Sequence, residues 1–381
     1  MNKHALLSAS SSHRWLNCPP SARLCETYED AGSDYALEGT DAHALCEYRL
    51  KKMLGQEAED PTENLTYYNT EMSDCADGYV EYISELLTEA KKTCADPLVI
   101  VEQRVDYSRF VAEGFGTADC VIIGDGALHV VDFKFGRGVK VEAGGNPQMR
   151  LYAIGALEIF DALYDIDTVS MTIYQPRLGN ISTDVISKAD LYEWAETVVV
   201  PTAELAFAGD GEYHCGEWCA FCKAKTDCRE RAQANMELAR YEFKRAPLLT
   251  DAEVADILGK IDELISWAND IKSYALEAAV DGKTWPGYKI VEGRSVRKFT
   301  DERAVAGTLV AAGYDPYEQK LLSMTELQKM LGKTTFDTLL GGLIYKPQGK
   351  PTLVPATDKR PEMNTAKADF ENNDIGGKTN E

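Results

Sequence analysis

The sequence predicts an α/β fold, a mixed central sheet flanked by helices, on three observations. Helix-like and strand-like runs alternate between residues 71 and 208, the order that layers helices on a sheet. Two apolar runs, "TADCVIIG" and "ALHVVDFK", flank Asp125-Gly126, a turn dipeptide that folds them into a hairpin. A helix-like segment from Pro147 to Ile159 then separates this hairpin from a further strand-like run, "VSMTIYQPR".

The elements follow in order. "SASSSHRWLNCPPSARL" opens on hydroxyl residues suited to a helix N-cap, continues through Trp15 and Leu16, and breaks at Pro19-Pro20. "EGTDAHALCEYRLKKML" carries apolar residues at helical spacing, with Thr40 or Asp41 as the expected cap. Residues 71–93 read as a helix, "PLVIVEQRV" as the strand before the hairpin, and residues 188–208 as another helix. From 229 to 281 the pattern is almost wholly helical, interrupted by the cap-like "APLLTD". "GYKIVEGRSVRKF" predicts a hairpin with Gly293 near its turn, followed by two short helical stretches and "IYKPQGKPTLVP". Beyond Glu362 the chain is polar and poor in apolar residues, the composition of a disordered tail. The expected organisation is a sheet domain over 1–232, a helical and hairpin appendage over 233–360, and a tail over 361–381.

Hydrophobic content of 44% and charged content of 27% fit a globular protein. No run is apolar and long enough to span a bilayer, and no charged-then-apolar leader opens the chain, so the expectation is a cytoplasmic protein without a membrane partner. The formal net charge of -22 weighs against nucleic acid at first sight, because phosphate contacts need Lys and Arg. The charge is uneven, however. Residues 283–360 carry 13 Lys/Arg against 8 Asp/Glu, leaving room for a local basic path.

The chemistry concentrates near the hairpin. In "DFK", Asp132 and Lys134 point to the same side of one strand. Antiparallel pairing brings Asp119 from the preceding strand towards Asp132. Two carboxylates with waters and a substrate phosphate are a common way to hold Mg²⁺, and a neighbouring Lys can orient water or stabilise charge on phosphorus. Four motifs in this order, "GTDAH" (Gly39 to His43), "GTAD" (Gly116 to Asp119), "DFK" (Asp132 to Lys134) and "QMRLY" (Gln148 to Tyr152), resemble the PD-(D/E)XK nuclease superfamily in its RecB-like branch. The resemblance covers about residues 8–232. It implies a restriction-endonuclease-like core in which His43, Asp119 and Asp132 hold Mg²⁺ or Mn²⁺, Lys134 assists catalysis, and Gln148 and Tyr152 face DNA. Glu102, on the strand before Asp119, is open between a place near the metal and a structural pair with Arg104.

Ten cysteines divide into two groups. Cys25, Cys46, Cys75, Cys94 and Cys120 lie scattered in helix- or strand-like segments and read as buried thiols. Cys18, Cys215, Cys219, Cys222 and Cys228 favour metal over disulfides in a cytosolic setting. "CGEWCAFCKAKTDC" spaces its last three as C-x2-C-x5-C, too irregular for a ribbon of two C-x2-C knuckles. With Cys18 far upstream, Cys219, Cys222 and Cys228 are similar to the iron–sulfur staple of AddB-like and CRISPR-adaptation nucleases, which implies a [4Fe–4S] cluster on these four thiolates. The alternative is a local zinc site of Cys215, Cys219, Cys222 and Cys228.

The whole chain is similar to an uncharacterised phage- and prophage-associated family. The implied function is a metal-dependent DNA exonuclease processing ends in phage recombination or replication, in a bacterial host. A single-strand-binding or annealing protein is the implied protein partner. The sequence holds no G-x4-G-K-[ST] phosphate loop, so no intrinsic ATP-driven translocation is expected. Two other classes remain: a non-catalytic DNA-end-binding or recombination scaffold, and a zinc-stabilised interaction module.

Overall fold

Five strands, β1 (Leu98–Asp106), β2 (Phe115–Gly124), β3 (Ala127–Phe133), β4 (Thr168–Gln175) and β5 (Asn180–Ser187), form one sheet in that order. The computed structural model describes residues 5–28, 32, 34–239, 250–291, 301–312, 315–317, 322 and 324–345. β1, β2 and β3 form an antiparallel meander. β3 and β4 are parallel, and β5 closes the sheet antiparallel to β4. Gly126, at φ +73°, makes the turn between β2 and β3.

The helices are α1 (Ser12–Asn17), α2 (Ser21–Glu26), α3 (Asp34–Met53), α4 (Thr70–Ala90), α5 (Pro147–Tyr164), α6 (Lys188–Trp194), α7 (Val200–Ala208), α8 (Arg229–Ala239), α9 (Asp251–Leu258), α10 (Ile261–Val280), α11 (Glu302–Ala311), α12 (Met324–Leu331) and α13 (Lys333–Leu340). Residues Met1–Trp285 form one unit, and Pro286–Glu381 form a second that holds α11, α12 and α13. The expected hairpin around Gly293, the basic residues Arg294, Arg297 and Lys298, and the expected tail lie outside the described residues. Among the described residues, no helix is long and apolar enough to cross a membrane.

Two apolar layers sandwich the sheet. On one face Cys120, Ile122, Val131 and Phe133 pack with Leu45 and Leu50 of α3 and Met72, Tyr79 and Ile83 of α4. On the other, Val121, Ile123, Leu128 and Val130 pack with α5. Every residue of α5 from Leu151 to Leu157 is buried, so this helix is apolar all round rather than amphipathic. Its large side chains contribute about 1.5–3 kcal/mol each on burial. Gly155 lets it approach β1: a Cβ there would lie 2.8 Å from Val105 Cβ.

Three features depart from the expected elements. Helix α3 starts at Asp34, so Thr40 and Asp41 are interior rather than caps. Thr40 Oγ1 donates back to the Ala36 carbonyl at 3.0 Å, and Asp41 Oδ2 accepts from Tyr67 N at 2.8 Å. Strand β5 has no expected counterpart, because its exposed side carries Ile181 and Val185 while Asn180, Ser182 and Asp184 face inward. Those inward polar groups hold the loop between β3 and α5. Ser182 Oγ accepts from Ala143 N (2.9 Å), Asp184 Oδ2 accepts from Gly145 N (3.1 Å), and Asn180 Nδ2 donates to the Val141 carbonyl (2.8 Å). Third, a π-helical segment, Ala195–Val199, joins α6 and α7.

Candidate active site

The sheet opens where its acidic residues meet. Pairing of β2 with β3 ends at Cys120 opposite Val131, so the next position sets Asp119 against Asp132. Pairing of β1 with β2 runs on both sides of Glu102 and Asp119 but skips that pair. Three carboxylates therefore lie in a row across three strands, each at a missing rung. Cross-strand neighbours of this kind approach closely enough to interact. Glu102 has φ 53°, a left-handed value rare for a non-glycine residue. Asp119 Oδ2 accepts from Phe133 N at 2.7 Å, a side chain standing in for a backbone acceptor.

Helix α3 brings His43 to this row. Its Nδ1 lies 3.3 Å from Asp119 Oδ1, and its ring meets Phe133 edge-on. Ligand atoms of His43, Glu102 and Asp119 all lie within 4.8 Å of one another, a grouping able to hold a metal ion. Asp132 stands beside that group, not in it. It is 2% exposed, and Lys134 Nζ lies 3.0 Å from its Oδ2. Oδ1 accepts from Lys134 Nζ (3.3 Å) and Gln148 Nε2 (3.1 Å).

Helix α5 supplies the support. Asn146 caps it, accepting from the amides of Gln148 and Met149, which fixes the first turn where Gln148 sits. Gln148 Oε1 accepts from Lys134 Nζ at 3.3 Å, and its Nε2 also donates to Tyr152 Oη at 3.2 Å. Tyr152 is 8% exposed, and its ring lies over Gly116: a Cβ there would fall 2.6 Å from Tyr152 Cε1. In this arrangement Tyr152 positions Gln148, and Gln148 orients both Asp132 and Lys134.

The charges explain the titration behaviour. Burial disfavours charged His43, but the Asp119 carboxylate outweighs it and raises the imidazole to about 9. Burial also works against charged Asp119, yet His43 and the Phe133 N–H hold its carboxyl below the ordinary value. Burial pushes Asp132 up by more than Lys134 draws it down. Burial, then the Asp119 charge, raises Glu102 to about 7. Once His43 gives up its proton, as a metal ligand must, three carboxylates face only the Lys134 ammonium, an excess of negative charge that a divalent cation would balance.

Sequence reading left Glu102 open, and the structure brings it to His43 and Asp119 rather than to Arg104. Arg104 instead lies over the Phe115 ring, 4.1 Å from its centroid. The signal was the strand register, which sets Glu102 opposite Asp119 once β1 and β2 are paired.

A second cluster joins the bend between α1 and α2 to the chain between α7 and α8. Cys18, Cys219, Cys222 and Cys228 line one cavity with Arg14, Trp218, Lys225 and Arg231. Cys215 is not part of that lining. Cys25, expected to be a plain buried thiol, sits with its sulfur 3.6 Å from that of Cys222. The other scattered cysteines behave as expected: Cys46, Cys94 and Cys120 are buried and Cys75 is half-buried.

Fold and site together define a mixed α/β protein with a histidine–carboxylate cluster where its sheet opens. The chain belongs to the family described as "Protein of unknown function (DUF2800)", whose model matches residues 4–361. Among solved structures, the one titled "Crystal structure of SSO0001" is similar at 15% identity over 49% of this chain and 95% of that chain, with a TM-score of 0.21. A likeness of that size bears on neither fold nor function.

Proposed function

We propose that the protein is a divalent-metal-dependent DNA nuclease of PD-(D/E)XK type, an exonuclease acting on DNA ends in phage recombination or replication within a bacterial host. The observation that carries this reading is the convergence of His43, Glu102 and Asp119 beside the Asp132–Lys134–Gln148 network. Mg²⁺ or Mn²⁺ fits the donor set, which is hard oxygen plus one imidazole. Asp132 Oδ2, buried beside the Lys134 ammonium, is a further oxygen such an ion would draw on. His43, Glu102, Asp119 and Asp132 would hold it. When bound, the ion supplies Lewis-acid polarisation of a phosphoryl oxygen and a more acidic water.

The side chains do the rest. Lys134 Nζ lies beside the candidate ligands, and Asp132 and Gln148 fix its direction. There it holds an attacking water in place or offsets charge growing on the phosphate oxygens. Gln148 is half-buried and Tyr152 buried, so contact with nucleic acid falls to Gln148, with Tyr152 behind it.

For the cysteine cavity we favour a [4Fe–4S] cluster on Cys18, Cys219, Cys222 and Cys228. These four line one cavity, and four thiolates are the usual ligands of such a cluster.

The test uses end-labelled linear and closed circular DNA with Mg²⁺ or Mn²⁺, wild type beside Asp132→Ala. Linear DNA is expected to be degraded and circular DNA spared, with no cleavage by the variant. Binding of DNA ends without cleavage by the wild type would replace the nuclease reading with that of an end-binding scaffold.

A further inference from the structure

Arg231 occupies an unusual position. It lies on α8, fully buried at 0% exposure. Its Nε donates to Glu263 Oε1 at 2.9 Å, and its Nη1 donates to Asp270 Oδ2 at 2.6 Å and to the Lys225 carbonyl at 3.3 Å. Its Nη2 is buried and has no hydrogen-bond partner. The same side chain lines the cavity of Cys18, Cys219, Cys222 and Cys228. An unpaired buried donor on a charged group is costly, so an acceptor is due at that place.

The surrounding charges indicate its sign. Glu263 and Asp270 balance Arg231 and Lys225, whose Nζ lies 2.9 Å from Asp270 Oδ1. Arg14 lines the same cavity and donates to Ser21 O (2.6 Å) and Ser21 Oγ (2.9 Å), both neutral. Four thiols with a surplus cation suit an occupant of negative charge, which a cluster held by four thiolates carries.

The other end of Arg231 is equally informative. Glu263 and Asp270 both belong to α10, a helix with no fully buried side chain. Its hold on the rest of the unit combines the Arg231 fork with a half-buried apolar stripe that includes Leu264, Trp267 and Ile271. A planar guanidinium presents its donors as one rigid fork, so a partner gained on one edge adds to the hold on the others.

We propose that Arg231 donates its free Nη2–H to the thiolate-ligated occupant of the cysteine cavity, and that filling the cavity thereby fastens helix α10. This rests on the cluster reading above. Hydrogen bonds to ligating atoms orient and tune metal sites, and here the same side chain carries the effect to Glu263 and Asp270.

The experiment compares the full chain reconstituted anaerobically with ferrous iron and sulfide against the same protein stripped by a chelator. Amide hydrogen exchange is followed over residues 261–280, with iron and zinc measured on each sample. In the wild type, stripping is expected to speed exchange in α10 by roughly tenfold or more, the weight of one charge-assisted hydrogen bond. Arg231→Gln is expected to keep its iron, lose it to chelator faster, and show fast α10 exchange in both states. Asp270→Asn, which leaves Arg231 in place, is expected to show fast α10 exchange and, because the coupling is reciprocal, a rate of iron loss to chelator between those of wild type and Arg231→Gln. Equal α10 exchange in loaded and stripped wild type would overturn the proposal, as would wild-type behaviour of both variants. Wild type that takes up no metal would remove the cluster reading itself, which the metal content reveals separately from the exchange.

Discussion

Gly116→Ala tests the close packing behind the candidate active site. The added Cβ would lie 2.6 Å from Tyr152 Cε1, where ordinary contacts are 3.4–4 Å. The ring must retreat by most of an ångström, yet Tyr152 is buried among apolar side chains. Overpacking of this kind costs about 1–3 kcal/mol. Loss of glycine freedom in the unfolded chain returns roughly 0.4–1 kcal/mol, leaving a net loss of up to about 2.6 kcal/mol. Thermal unfolding should fall by about 2–4 °C per kcal/mol for a unit of this size. Gly39→Ala is the matched control, since its Cβ meets nothing within 4 Å on α3, and it should gain roughly 0.5–1 kcal/mol. Adding Tyr152→Leu to Gly116→Ala should recover part of the loss, a coupling read from the double-mutant cycle. A Gly116→Ala protein that melts at or above wild type, or a cycle with no coupling, would refute the reasoning.

Three further outcomes follow from the same structure. Burial lowers His129 to about 4, below its unfolded value of about 6.5, so the unfolded chain binds more protons between these limits. Stability is then undiminished above pH 6.5 and falls as pH drops towards 4, by up to about 2 kcal/mol at pH 5, and urea melts of His129→Gln should show a flatter dependence. Mn²⁺ at a hundred times its dissociation constant should stabilise wild type by about 2.7 kcal/mol in thermal melts, and Asp119→Asn should show little of this. Cys18→Ser should abolish iron uptake, whereas Cys215→Ser and Cys25→Ser should retain it, because neither side chain lines the cavity; retained iron in Cys18→Ser would move the site to the local cysteines.

Much of the fold was legible because its signals are local. The period-2 runs and the Asp125-Gly126 turn mark β2 and β3, and the apolar density of α5 marks a buried helix. β5 was not, because its inward face is polar and serves a loop rather than a core. The start of α3 was hidden by the hydroxyl and carboxylate at Thr40 and Asp41, which suit a cap but bond within the helix and to Tyr67. In the site, His43, Asp119, Asp132, Lys134 and Gln148 could be picked from motif order. Glu102 could not, since only the pairing of two strands shows that it opposes Asp119. Arg231 carried no signal at all. A single Arg on a helix gives no hint of two acids more than thirty residues away.

On the nuclease reading, the rung supplied by Asp119 would also bear on which ions suit the site. One of its oxygens already accepts from the Phe133 amide and the other lies beside His43, so gripping a cation by both oxygens would weaken those contacts. Calcium takes six to eight oxygen ligands and often grips a carboxylate by both oxygens, whereas magnesium takes six and keeps several waters. A sheet that borrows a side chain to complete its own ladder would thus favour the smaller ion without any residue devoted to that choice.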